Sequence, residues 1–124
     1  MLKTTLIAAT LCLAGATSAF AAPVKTADST LGPVLTGENG MTLYTFQKDG
    51  KNQSNCYDKC AANWPPLMAT DGDMADGKYS IITRKDGGKQ WAADGKPLYF
   101  WIKDSKPGDT TGNGVLNLWD VARP

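Results

Sequence analysis

The sequence predicts an all-β fold: a small antiparallel sheet domain built from two pseudo-equivalent repeats, with one short disulfide-pinned helix or turn. Three observations support this prediction: a segment that occurs twice, apolar residues that alternate with a period of two, and many turn-forming residues. Thirteen glycines and seven prolines among 124 residues favour frequent turns over long helices. Because a segment repeated at a fixed offset is typically one supersecondary unit, each copy is expected to bury its apolar face against the other.

The two copies lie 55 positions apart and align without a gap, and they extend over about 33–68 and 88–122. The alignment includes aromatic, charged and turn positions, so it is not a coincidence of composition. The aligned pairs are Gly40 with Gly95, Leu43 with Leu98, Tyr44 with Tyr99, Phe46 with Trp101, Lys48 with Lys103, Asp49 with Asp104, Lys51 with Lys106 and Trp64 with Trp119.

Hairpins of short strands are expected in both copies. Glu38-Asn39-Gly40 and Asp94-Gly95 each separate two apolar runs, and such Asn-Gly or Asp-Gly pairs are strong hairpin signals. A third turn is expected at Asp86-Gly87-Gly88. The predicted strands are 34–37, 41–47, 78–84, 89–92, 97–103 and 115–121.

The first 21 residues have the features of a secretory signal. Lys3 precedes an apolar run, which gives way to Ala19-Phe20-Ala21, with small residues at the two positions that a leader peptidase reads. The run is about half of the roughly 20 apolar residues that cross a bilayer, so we expect no membrane span. We predict cleavage following Ala21, a periplasmic or secreted location, an N-terminal linker at 22–32 and a single β-rich domain at 33–124.

Charge disfavours a nucleic-acid partner for the exported chain. Removal of Lys3 with the leader leaves 12 basic residues against 12 acidic ones, and neither sign is clustered. We therefore expect no nucleic acid and no anionic membrane as partner. The sequence indicates no cofactor, and we expect a monomer.

Cleavage would also remove Cys12, leaving Cys56 and Cys60 as the only thiols in an oxidising compartment, so we expect them to form a disulfide. Ser54-Asn55 is a candidate N-cap for a short helix at 56–62, with Asp58 in its first turn. A bridge across so short a loop removes only about 2 kcal/mol of unfolded-state entropy and is interpreted as a local staple. The alternative is a redox pair with Cys56 as the attacking thiolate and Cys60 as the resolving thiol.

Both copies contain the motif Y-x-(F/W/Y)-x-x-D, at Tyr44, Phe46 and Asp49 and again at Tyr99, Trp101 and Asp104. With Ser54-x-Cys56-x-x-x-Cys60-Ala61-x-x-Trp64-Pro65-Pro66, the sequence resembles a family of bacterial secreted repeats, often predicted lipoproteins, that is named for this motif. The resemblance covers essentially the whole mature chain and implies export. It implies no established activity and no catalytic residues, and this chain lacks the lipidated cysteine of many members.

The motif has a structural interpretation and a functional one. In a strand, Tyr44 and Phe46 point to one face, which favours burial in the core, and Asp49 begins a loop whose backbone N–H groups its carboxylate can accept. The functional hypothesis is that the two motifs flank a groove in which Trp64 and Trp119 stack on a sugar or another flat ligand.

Other candidate sites are weaker. The chain has no histidine, so the commonest metal ligand and the usual general base are missing and we name no catalytic residue. Oxygen-rich loops and methionines suggest Ca²⁺ or Cu(I), but their spacing matches no metal-binding template, and we expect no metal. These candidates are Asp71, Asp73, Asp76, Asp109, Asn113, Met41, Met68 and Met74.

Taken together, the sequence predicts an exported, non-enzymatic envelope-associated or binding module. Its partner would be an unknown small molecule or envelope component. Two alternatives stay open at this point: a periplasmic thiol-disulfide redox protein that uses Cys56 and Cys60, and a metal-binding periplasmic protein.

Overall fold

The structure is a computed structural model that describes residues 21–124, so the expected leader lies outside the described residues except for its last position. No helix in this part of the chain is long and apolar enough to cross a membrane. The elements are β1 (Val24–Ala27), β2 (Val34–Gly37), β3 (Tyr44–Phe46), α1 (Lys59–Asn63), β4 (Tyr79–Thr83), β5 (Lys89–Ala93), β6 (Lys96–Pro97), a 3₁₀ turn (Val115–Asn117) and β7 (Trp119–Val121).

The strands form three small antiparallel sheets, which confirms the predicted all-β class. β1 pairs with β2, β3 pairs with β7, and β4, β5 and β6 form a three-stranded sheet. The turns between strands follow the predicted chemistry. Asp94 and Gly95 have φ angles of 50° and 82°, and they place Lys96 opposite Ala93. Positive φ at both central residues is the requirement of the tight hairpin turn that Asp-Gly favours.

The two repeats are interlocked rather than side by side. Tyr44 and Tyr99 exchange backbone hydrogen bonds, with Tyr44 N donating to Tyr99 O at 2.8 Å and Tyr99 N donating to Tyr44 O at 3.0 Å. β3 of the first repeat pairs with β7 of the second, and Phe100 of the second repeat donates to the Pro65 carbonyl of the first at 2.7 Å. Each repeat therefore completes the sheet of the other, about a pseudo-twofold axis between the two tyrosines.

Apolar side chains form two buried clusters, and the two tyrosines of this junction belong to one of them. One contains the tyrosines of both motifs, with Phe46 and Trp101 packed against it, and the other is mostly aliphatic around Trp91. The aromatic cluster consists of Val34, Tyr44, Cys56, Trp64, Tyr99, Trp119 and Val121, and the aliphatic cluster of Leu35, Leu43, Leu67, Trp91, Ala93, Leu98 and Ala122.

The strand predicted at 115–121 is too long. Leu116 and Asn117 have φ angles of 55° and 57°, so this part forms a 3₁₀ turn and the strand begins at Trp119. Gly114 N donates to the Trp119 carbonyl at 2.7 Å, which folds the segment back on itself. Val115 and Trp119, which flank this turn, both pack on the core. Their spacing produced the apolar alternation that predicted a strand at 115–121.

The predicted helix begins later than expected, at Lys59 instead of Cys56. Its N-cap is Asp58, with a φ of 53° and no side-chain capping bond. Ser54, the expected cap, bonds instead to the Tyr99 hydroxyl at 2.6 Å. The Ser54 oxygen also accepts the Cys56 amide at 3.2 Å, so Ser54 makes a local turn ahead of α1 as well as a tertiary bond.

The segment expected as a linker, 22–32, contains β1. Its residues pair with β2 in the register Val24 to Gly37 through Ala27 to Val34. Three of its four side chains are exposed, so its sequence lacks the apolar alternation that would have indicated a strand.

Gly112 provides a test of this interlocked packing. A Cβ at this position would lie 2.8 Å from Trp64 Cη2 and 2.9 Å from the Tyr44 ring. Because the rings belong to a close-packed core, Gly112→Ala should lower the free energy of unfolding by about 1–3 kcal/mol in urea denaturation. Gly50→Ala is the matched control, since its Cβ would meet nothing closer than 3.6 Å. Equal effects of the two substitutions would contradict the packing described.

Candidate functional site

Phe46 and Trp101 of the two motifs form a column of four stacked rings with Trp64 and Trp119. Trp64 and Trp119 lie at its centre with centroids 3.7 Å apart and planes 2° from parallel. Phe46 stacks on Trp119 at 4.2 Å, and Trp101 stacks on Trp64 at 4.0 Å. The order is Phe46, Trp119, Trp64, Trp101, so each tryptophan is stacked against an aromatic residue of the other repeat.

The motif tyrosines close the sides of the column. Tyr44 meets Trp64 edge-on at 5.4 Å, and Tyr99 meets Trp119 edge-on at 5.2 Å. These edge-to-face contacts direct the positive ring edge at the negative ring face, the arrangement that aromatic pairs favour. The equivalence of the two contacts is further evidence of the pseudo-twofold relation between the repeats.

This geometry leaves no room for a ligand stacked on Trp64 or Trp119. The two residues are only 4% and 2% exposed, and each has a protein ring on both faces. The expected groove between the two motifs is filled by these tryptophans themselves. Positions repeated for folding and positions repeated for binding look alike in sequence. In the structure, Trp64 and Trp119 pack in the core.

The tyrosine of each motif bonds to the aspartate of the other. The Tyr44 hydroxyl donates to Asp104 Oδ2 at 2.6 Å, and the Tyr99 hydroxyl donates to Asp49 Oδ2 at 2.7 Å. We call these two contacts the Tyr–Asp exchange. The aspartates also fix their loops as expected: Asn55 N donates to Asp49 Oδ1 at 2.7 Å, and Thr111 N donates to Asp104 Oδ1 at 2.9 Å.

Burial controls the protonation of this exchange. It raises the pKa of both tyrosine hydroxyls, and for Tyr44 the hydrogen bond to Asp104 raises it further. Burial also raises the pKa of the Asp49 carboxyl, while the Tyr99 hydroxyl and the Asn55 amide lower it. The tyrosines therefore keep their protons at neutral pH and act as hydrogen-bond donors.

Arg84 is buried beside this exchange, at only 4% exposed. Its guanidinium donates to Ser54 Oγ at 3.0 Å, to Gln90 Oε1 at 2.8 Å and to the Cys56 carbonyl at 2.7 Å. Because Tyr99 uses its only proton on Asp49, Ser54 must donate to Tyr99, which gives a continuous chain from Arg84 through Ser54 and Tyr99 to Asp49. Arg84 could not be identified from the sequence, since its partners Ser54, Cys56 and Gln90 are brought together only by the fold.

Cys56 and Cys60 form the predicted disulfide, with Cα atoms 5.2 Å apart. Cys56 is fully buried and lies ahead of α1, while Cys60 is half-buried. The redox alternative assumed a Cys56 that is accessible and lies in the first turn of a helix. The position of Cys56 in the aromatic cluster meets neither condition.

The oxygen-rich loops use their side chains to hold turns. Asp73 accepts the amide of Thr70 at 2.8 Å, and Asn113 accepts that of Val121 at 3.0 Å. Asp109 accepts the amide of Ser105 at 2.8 Å, and this bond together with the Lys106 ammonium lowers the pKa of its carboxyl. Within residues 21–124, no three or more Cys, Asp or Glu side chains converge where they could hold a metal ion.

An open groove lies beside β3. It consists of two adjoining pockets of about 520 and 540 Å³ that share Thr45, Asp94, Lys96 and Asp120. We call it the β3 groove. Its other walls include Leu35, Leu98 and Ala122 at one end and Phe46, Gln47, Asp49 and Lys51 at the other.

The β3 groove lies where the two repeats differ. Thr45 is equivalent to Phe100, whose ring atom Cζ lies 2.7 Å from where a Cβ on Gly37 would be. In the second repeat an aromatic ring therefore packs closely against β2, whereas the smaller threonine lines an open space. The other shared wall residues also differ from their equivalents: Asp94 from Asn39, Lys96 from Met41 and Asp120 from Pro65.

A family model described as a secreted repeat of unknown function matches residues 25–68 and 80–123. The chain belongs to this family. The two matched segments contain the two interlocked repeats of the structure, and the resemblance expected from the sequence is confirmed. Comparison with curated proteins found no match, and comparison with solved structures found none either.

The Tyr–Asp exchange can be tested by removing its hydroxyls. Tyr44→Phe and Tyr99→Phe should each lower the free energy of unfolding by about 1–3 kcal/mol, because each leaves the Oδ2 atom of a buried or half-buried carboxylate without its donor. Tyr79→Phe is the control, since its hydroxyl has no hydrogen-bond partner among the described residues. Urea denaturation that ranks all three substitutions alike would show that the exchange does not stabilise the fold.

Proposed function

We propose that the protein is an exported, non-enzymatic binding module of the cell envelope and that the β3 groove is its ligand site. The ligand is an unknown small molecule or envelope component. This proposal is supported by the different locations of the residues that the two repeats share and of those at which they differ. The shared aromatic and tyrosine–aspartate positions hold the fold together, and the four residues common to both pockets of the groove are positions at which the repeats differ.

The replacement of Phe100 by Thr45 in the equivalent place is the observation that carries the proposal. Folding alone would be served by an aromatic ring at both positions, as in the second repeat. The smaller residue leaves a concave surface of mixed polar and apolar character and of the size that small ligands occupy. The groove beside Thr45 therefore lies where the second repeat has an aromatic ring packed against β2, and this difference between the repeats favours a role in binding.

A non-enzymatic role agrees with how the reactive groups are used. The hydroxyls of Tyr44 and Tyr99 and the carboxylates of Asp49 and Asp104 are engaged with one another in or beside the core. The sequence has no histidine to act as a general base near neutral pH. The motif is therefore best interpreted as a framework.

Export is supported by the description of the family as secreted and by the disulfide, which persists in oxidising compartments. Cleavage after Ala21, a periplasmic location and a monomeric state belong to the same proposal. The redox alternative is disfavoured by the burial of Cys56, and the metal alternative by the use of the loop carboxylates as turn caps.

Thr45→Phe tests the proposed site, because it places at this position the residue found in the second repeat. Wild-type protein and variant would be compared by saturation-transfer NMR against a set of small peptides, sugars and amines. We expect compounds that bind the wild type in the millimolar range or tighter and that lose most of their signal with Thr45→Phe.

Thr83→Phe, on the exposed end of β4, is the matched control and should bind as the wild type does. Thermal melts of both variants would establish that they are folded. Compounds that bind Thr45→Phe as well as they bind the wild type would contradict the proposed site, and so would a set in which nothing binds the wild type.

A further inference from the structure

We propose that Asp76 binds the N-terminal ammonium that removal of the leader creates at Ala22, and that this ion pair fastens β1 to the rest of the domain. The pairing rests on the cleavage after Ala21 that belongs to the proposed function, and it gives the new chain end a role. Neither Ala22 nor Asp76 lines the β3 groove, so the ion pair and the ligand site can fail independently.

The nitrogen of Ala22 lies at the carboxylate of Asp76. It donates to Asp76 Oδ2 at 3.1 Å, across 54 positions of sequence. The backbone of Asp76 is held in turn by Tyr79: the Asp76 amide donates to the Tyr79 carbonyl at 2.9 Å, and the Tyr79 amide donates to the Asp76 carbonyl at 3.0 Å. Because these bonds fix Asp76 just ahead of β4, its carboxylate stands at the place where the mature chain is expected to begin.

Leader removal changes the charge of this nitrogen. Hydrolysis of the peptide bond between Ala21 and Ala22 adds one water molecule, so Ala21 leaves with the new carboxylate and the Ala22 nitrogen takes up the released proton. Free α-amino groups have pKa values of about 8, so the new chain end is mostly an ammonium at pH 7. A neutral amide hydrogen bond is thereby replaced by a charge-assisted one, which is roughly twice as strong.

Asp76 has no competing cation in the structure. Among residues 21–124, no lysine or arginine lies within ion-pair distance of its carboxylate. Lys78, two positions along the chain, is instead 3.9 Å from Asp94. Asp73, in the same loop, accepts the Thr70 amide at 2.8 Å and helps to hold its own turn. The Ala22 nitrogen is therefore the partner that the fold brings to Asp76.

The chain end matters because β1 covers an edge of the core. β2 is buried along its whole length, and its residues Val34 and Leu35 belong to the aromatic and the aliphatic cluster. β1 pairs with β2, but three of its four side chains are exposed and bury little apolar surface. Beside this ladder, Ala22 and Val24 pack on the aliphatic cluster. An ion pair at Ala22 adds a bond where the strand has few side-chain contacts.

The precursor and the mature chain therefore differ in how firmly β1 is held. In the precursor, the nitrogen of Ala22 is a neutral amide and the leader continues from it. In the mature chain, the same nitrogen is charged and free to approach Asp76. An unpaired strand edge is a template for pairing with another chain, so a firmly held β1 protects the edge of β2. Leader removal thus completes the closure of this edge.

The test compares a charged and an uncharged chain end. Protein that begins at Ala22 would be released from an N-terminal fusion by a protease that leaves no extra residue. A second sample would be acetylated at the α-amine at about pH 6.5, where lysine amines are more fully protonated. Hydrogen exchange would be followed at the amides of β1, in particular at Lys25, which lies opposite Thr36 in the ladder.

Acetylation should raise the exchange rate of the β1 amides by about two- to fivefold, the range expected of an exposed ion pair. Asp76→Asn should raise it by a similar factor, and acetylation of this variant should then add little, because the two changes remove the same interaction. Asp71→Asn, exposed in the same loop, is the matched control and should respond to acetylation as the wild type does.

Equal exchange in the free and the acetylated wild type would overturn the ion pair. So would an acetylation effect in Asp76→Asn as large as that in the wild type, since acetylation would then act without Asp76. Thermal melts of each variant would establish that the exchange rates belong to folded protein.

The intact mass of the protein exported from bacterial cells tests the cleavage separately. We expect the mass of residues 22–124. A different chain end would overturn the predicted cleavage together with the ion pair, and it would leave the β3 groove unaffected. A chain that begins at Ala22 but shows no coupling to Asp76 would overturn the ion pair alone.

Discussion

The fold depends on the hydrogen bonds that the two motifs exchange across the pseudo-twofold axis. Each tyrosine bonds through its hydroxyl to the aspartate of the other repeat, and through its backbone to the other tyrosine. The stacked pair of Trp64 and Trp119 fills the space between them. Because every one of these contacts joins the two repeats, neither half can form its core without the other. A mature domain of this size buries little surface, and such a shared core makes the most of it.

This constraint separates the residues that fold the protein from those available for function. The motif residues are conspicuous in the sequence, yet the structure uses them inside the core or beside it. The surface that remains open lies at Thr45 and Asp120, where the first and second repeats have diverged. In a domain built by duplication, shared positions maintain the common framework and differing positions are where a binding site can arise. The disulfide and Arg84 anchor the loop after the first motif to this framework.

Much of the fold could be predicted from the sequence because it depends on local residue patterns. The Asp94-Gly95 hairpin, the β2 strand and the disulfide all follow from neighbouring residues. The exchange of partners between Tyr44 and Asp104 could not be predicted, since a repeat in sequence does not reveal whether its copies pair within or across. The β3 groove was missed for a similar reason: Thr45 is an ordinary strand residue until Phe100 is seen filling the equivalent place.

The central claim is that the two repeats form one cooperative unit, and native-state hydrogen exchange tests it most directly. The amides of Tyr44 and Tyr99, which bond to each other's carbonyls, would be followed at increasing urea concentrations. The account predicts that both exchange only through global unfolding, with one common free energy equal to that from urea denaturation. A lower free energy for either amide, reached by opening of one repeat while the other stays folded, would contradict it.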